Sequence, residues 1–196
     1  MAALILGLVL GALLLGGEPT PDDGSAEAGF ARDMSVHHAQ AVEMAFIVRD
    51  RTNDPAIQTM SYDIINTQRA QIGMFSGWLQ QWNLPQTSTA APMAWTDHGH
   101  GSDMPGVEGM SVDTYDDMPG MASDADLDEL REAAGVQAER LFLELMIDHH
   151  AGGVDMAEAV LPLTDRDEVR YLADTIVAGQ QAEIATMEQL LADRSS

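Results

Sequence analysis

Two short stretches of this chain carry residues that could do chemistry. Asp33 to Ala45 reads DMSVHHAQAVEMA, and Leu145 to Ala157 reads LMIDHHAGGVDMA. Each holds a Met one helical turn before a His-His pair and a second Met six residues after it: Met34, His37, His38 and Met44 in the first, Met146, His149, His150 and Met156 in the second. Thioether and imidazole together suit Cu(I), while imidazole alone also serves zinc, iron and nickel. The competing reading is structural, with Met as adaptable core filler and each His held by a hydrogen bond. Four His in two matched pairs favour the metal.

The elements that must position these side chains are helices. At about 100° per residue, Phe30, Met34, His37, His38, Ala41, Met44, Ala45 and Val48 share one broad face, and Glu43 and Asp155 point away to solvent. A helix is expected from Gly29 to about Arg51. Asp54 then caps, and Pro55 opens, a partner helix that runs to about Trp82. Ser123 caps a short helix to about Ala134, Gly135 interrupts, a long helix follows to Leu161, and the last runs from Asp167 to near Asp193.

The two motifs are separated by 112 residues, and that offset persists without a gap through the turn and the partner helix: Thr52 matches Thr164, Ile64 matches Ile176, Gln68 matches Gln180 and Leu79 matches Leu191. One hairpin was therefore duplicated. A single hairpin cannot bury its own apolar stripe, so an all-α, ferritin-like four-helix bundle of two duplicated hairpins is expected, with the motif helices facing each other. A lone helix cannot complete a coordination shell, so a four-ligand site would draw on both repeats. Met44 lies two turns beyond His37, about 10 Å along the axis, and would serve a separate ion or one held by the opposite helix. Gln71 and Glu183 share core faces with apolar residues of the partner helices and are candidates for supporting the ligands. A buried Glu needs a partner; a histidine across the bundle, or a metal, would serve.

Residues 83–122 have no helical period and read as a long loop. They hold a second set of donors: Met93, His98, His100, Met104, Met110, Met118 and Met121. Core filling explains these badly where large aliphatic residues are scarce; the alternative is a low-complexity linker.

Composition narrows the function classes. The formal net charge is −23, and every basic residue is Arg. Nothing could neutralise nucleic-acid phosphates, whereas cations would be drawn to the surface. With no Cys, disulfides, thiolate zinc, iron–sulfur and blue-copper sites and thiol catalysis are excluded. Met1 to Gly17 is an unbroken small and apolar run, read as a signal peptide or an N-terminal membrane anchor, followed by a linker over 18–28 and the bundle over 29–196. The lack of an obvious small-x-small site after Leu15 favours the anchor. The remainder is expected outside the cytoplasm, periplasmic or extracellular.

The doubled Met-x-x-His-His motif, the Met118-Pro-Gly-Met121 run and the Gln-x-x-(Gln/Glu)-Ile run of each partner helix resemble the domain-of-unknown-function family numbered 305, over about Phe30 to Ala192. The resemblance implies a ferritin-like fold shared with CopM-type copper-binding proteins of bacterial envelopes. It also implies that the eight motif Met and His are the metal-site residues. Gln71 departs from the pattern at the position where the second repeat has Glu183. The expected function is extracytoplasmic copper binding for tolerance or delivery. Copper would be held as Cu(I), with metal ions and another copper protein as partners, and no reaction would be catalysed. The alternatives are a di-metal oxidase, which would need several inward carboxylates, and a metal-free envelope interaction module.

Overall fold

A computed structural model describes residues 19–98 and 112–194. Its helices are α1 (Ala26–Arg49), α2 (Pro55–Gln81), α3 (Asp124–Glu132), α4 (Val136–Val160) and α5 (Asp167–Asp193), with 3-10 turns at Ala94–His98, Tyr115–Asp117 and Leu161–Leu163. The described residues form no strand. The apolar run at the N-terminus and His100, Met104 and Met110 lie outside the described residues. Among those described, no helix is long and apolar enough to cross a membrane.

Local chemistry accounts for the helix ends. Asp54 Oδ1 accepts from the amides of Ala56 and Ile57, and Ser123 Oγ accepts from Asp126 N. Helix α1 starts three residues earlier than its apolar period suggests, because Ser25 Oγ accepts from Ala28 N and so caps it within the stretch read as linker.

Helices α1 and α2 form one hairpin and α4 and α5 the other, and the bundle closes where α1 packs on α4. The imidazoles of His37 and His149 meet there, with ring centroids 3.8 Å apart. The motif helices thus face each other, as the duplication predicts. At each turn the hairpins also exchange the same contact. Thr52 Oγ1 donates to Glu139 at the start of α4, and Thr164 Oγ1 donates to Glu27 at the start of α1. Glu27 and Glu139 are themselves 112 residues apart, so the clasp obeys the approximate two-fold symmetry.

The core is split in two. One apolar cluster holds Phe30, Met34, Phe75, Met156 and Ile176; the other holds Met44, Ile57, Ile64, Phe142, Met146 and Met187. Antiparallel packing of α1 on α4 therefore groups Met34 with Met156 and Met44 with Met146, on opposite sides of the His pairs.

Candidate metal centre

The layer between the two clusters is polar and sealed. His37, His38, His149 and His150 are each 0% exposed, and Gln68, Gln71 and Gln180 are buried with them. A buried imidazole is held neutral, because a charge there loses its hydration. His37 is lowered to about 4: burial dominates, the Pro119 carbonyl partly offsets it, and His150 adds a smaller push downward. Burial and then the neighbouring His37 lower His38 to about 3. His149 is pushed well below the ordinary histidine value, first by burial and then by His37, His150 and His38. Neutral rings have lone pairs to offer.

The hydrogen bonds determine which nitrogen offers one. His38 Nε2 donates to Gln71 Oε1 at 2.7 Å, His150 Nε2 donates to Glu183 Oε2 at 2.7 Å, and His37 Nε2 donates to the Pro119 carbonyl at 3.0 Å. A backbone carbonyl and an amide oxygen can only accept, so His37 and His38 carry the hydrogen on Nε2 and keep Nδ1 as the basic atom, while His150 Nε2 faces the Glu183 carboxyl. None of these three Nδ1 atoms has a protein partner, and His149 has none at either nitrogen. The amides of Gln68 and Gln180 are likewise unpartnered. All the orphaned buried side-chain atoms among the described residues belong to this layer. Leaving a buried polar group unsatisfied costs about 1–3 kcal/mol, and such groups cluster where a ligand belongs. Imidazoles oriented by outer oxygen acceptors are also the usual arrangement of metal-ligating histidines. The residues present therefore fit a soft metal ion.

Gln71 and Glu183 support the layer at equivalent positions. Glu183, however, is paired with His150 on the adjacent helix of its own hairpin rather than with a histidine across the bundle, and its side chain remains 30% exposed. The first repeat uses a buried amide in the same place. Among the described residues, no three of His, Asp and Glu form a group able to hold a metal. A complete shell here needs sulfur, and Met34, Met44, Met146 and Met156 are all fully buried in the flanking clusters.

The loop donors separate. Met118 is buried and Met121 partly buried against the cluster that holds Met34 and Met156, and Met93 is buried there too. These three do fill core, contrary to the expectation from composition. The core in question is supplied largely by helix residues, Phe30, Phe75, Met156 and Ile176 among them, which the loop sequence does not reveal. His98 falls in the 3-10 turn at Ala94–His98.

Several residues at the layer were not legible as functional. Gln40 brackets Ala122, accepting from its amide at 2.8 Å and donating to its carbonyl at 2.9 Å. Gly152 faces the Pro119 carbonyl so closely that a Cβ would lie 2.1 Å from it, and a Cβ on Gly153 would lie 2.4 Å from Gln180 Oε1. The available signal was a break in the repeat: Gln40-Ala41 in the first motif corresponds to Gly152-Gly153 in the second. Asp33 is buried apart from the layer. It accepts from Met93 N at 2.7 Å and Trp95 Nε1 at 2.8 Å, and burial raises its carboxyl.

The model of the family described as Domain of unknown function (DUF305) matches residues 27–191. A solved protein of that family from Streptomyces coelicolor, described as secreted, is 43% identical, covers 89% of this chain and 97% of its own, and superposes with a TM-score of 0.78. A DUF305 fragment from Deinococcus radiodurans is 33% identical over 86% of this chain and 96% of its own, with a TM-score of 0.69. CopM in its Cu(II)-bound form is 28% identical over 86% of this chain and 97% of its own, with a TM-score of 0.64. Its Cu(I)-bound form is 26% identical over 86% and 96%, with a TM-score of 0.62. No curated protein matches the chain.

Proposed function

The chain belongs to the domain-of-unknown-function family DUF305, and from that premise we propose that it is an extracytoplasmic copper-binding protein that holds Cu(I) for tolerance or delivery and catalyses no reaction. The observation that carries this reading is the quartet of buried imidazoles. Three of them are held by oxygen acceptors with Nδ1 left free, and the ring of His149, packed on that of His37, has no hydrogen-bond partner at either nitrogen. His37, His38, His149 and His150 would supply nitrogen, and Met34, Met44, Met146 and Met156 the sulfur. Mixed thioether and imidazole donation selects Cu(I) over hard cations. Solved forms of CopM are named with Cu(II), Cu(I) and silver bound, the last two soft monovalent cations.

The non-catalytic part of the reading is supported by where the carboxylates lie. A di-metal oxidase needs several inward carboxylates at the metals. Among the described residues, the buried Asp33 and Glu139 are engaged elsewhere, by Met93 and Trp95 and by Thr52 and Arg194. Of the described carboxylates, only Glu183 bonds a histidine of the layer. Export is supported by the apolar run Met1 to Gly17 and by the solved relative described as secreted.

The test is anaerobic competition against a coloured Cu(I) chelator, with zinc as the contrasting ion. The protein should withdraw at least one Cu(I) per chain and prefer it to zinc. Failure to withdraw copper, with the helical signal intact, would leave the His pairs a structural role.

A further inference from the structure

Residues 118–122 form a strap across the seam between α1 and α4. On one side Gln40 grips Ala122 at both its amide and its carbonyl. On the other, the backbone of Pro119 and Gly120 enters a notch that exists only because position 152 has no side chain: a Cβ there would stand 2.1 Å from Pro119 O and 2.7 Å from Gly120 N. Gly120 has φ +74°, and a Cβ on it would lie 2.4 Å from the Asp148 carbonyl and 2.9 Å from His149 Cα. Met118 anchors the start of the strap in the core, 2% exposed. Between these anchors the Pro119 carbonyl accepts from His37 Nε2.

Gln40 and Gly152 occupy equivalent positions of the two repeats. The strap is a single segment lying across a two-fold arrangement, so it meets the two equivalent positions with different parts of its backbone. One must reach out and grip; the other must be absent. That explains why the repeat breaks there while its histidines do not.

We propose that Gln40 and Gly152 are positioning residues that seat the strap, and that the seated strap, through the Pro119 carbonyl, holds His37 with Nδ1 presented to copper. The proposal rests on the copper reading above. Unlike His38 and His150, whose acceptors are side chains of the neighbouring helix, His37 takes its orientation from the connecting segment. Seating of that segment and readiness of the site are thereby one event.

The experiment uses the full chain in two parts. In the metal-free protein, nitrogen NMR of the histidine rings reads the tautomers. His37 should be protonated at Nε2, and Gln40→Ala and Gly152→Ala should each convert it to a mixture, while His150, held by Glu183, stays as it was. In the loaded protein, both variants should release Cu(I) to a chelator about 10-fold faster or more, with unchanged helical circular dichroism. Should Gly152→Ala fail to fold, Gln40→Ala decides. An unmoved His37 tautomer in Gln40→Ala would overturn the proposal. So would a moved tautomer with unchanged release, provided His37→Ala itself weakens copper binding. If His37→Ala leaves Cu(I) affinity untouched, the copper reading of this residue is what fails, and the tautomer shift alone reports on the strap.

Discussion

The two hairpins were built from one sequence, yet they hold their histidines differently. In the second, His150 leans on a carboxylate that reaches partway to solvent; in the first, His38 leans on the buried amide of Gln71. His37 is tied to the strap, whereas its counterpart His149 has no protein partner at either nitrogen. Duplication reproduces helix lengths, turns and the placement of ligands. It cannot reproduce the surroundings of an element present once, and the strap is such an element. A nearly symmetric scaffold therefore encloses an asymmetric polar layer.

The largest effect should come from removing each half of the layer in turn. Changing His37 and His38 together to Ala, or His149 and His150 together to Ala, should each lower Cu(I) affinity on the order of 100-fold or more, since ligands matter at least as much as the outer groups that orient them. Helicity should hold, because Ala is the better helix former. Chelator competition with circular dichroism checks both. A loss confined to one double variant would show that a single hairpin holds the metal and that the comparison is more lopsided than the fold.

Acid should act on both halves. His37 and His38 titrate at about 4 and about 3 in the fold against an ordinary histidine value of 6.5, and His149 is lowered as well. Below about 6.5 the unfolded chain takes up protons that the folded chain refuses, so stability is complete above that pH and falls as pH drops towards 4 and 3. Urea midpoints of the metal-free protein should decline steadily from pH 7 to pH 4.5. Changing His37 and His38 to Ala should flatten part of that slope. A slope unaltered by the change would assign the acid sensitivity to His149 or the carboxylates instead.

The smallest effect separates the two clasps. Glu139 is buried and also bound by Arg194, while Glu27 is partly exposed. Thr52→Val leaves an unsatisfied acceptor inside the protein and should cost about 1–2 kcal/mol. Thr164→Val leaves one that water can reach and should cost roughly 0.5 kcal/mol. Urea unfolding of the two variants compares them directly, and equal losses would show the clasps to be energetically symmetric despite their different burial.

Much of this was written in the chain order. The constant offset of 112 residues, the Asp54-Pro55 start and the Ser123 cap specify duplicated hairpins. The period about Met34, His37, His38 and Met44 specifies which face is buried. Those are local properties: capping, propensity and a 3.6-residue repeat act within a few residues and can be read in sequence. The grouping of Met34 with Met156, the partnership of Glu183 with its own hairpin, and the burial of Met118 needed the tertiary structure, because each depends on which surfaces meet. So did the tautomer of His37. Its acceptor lies 82 residues away in the chain, on a backbone carbonyl that every residue type possesses and no sequence pattern marks.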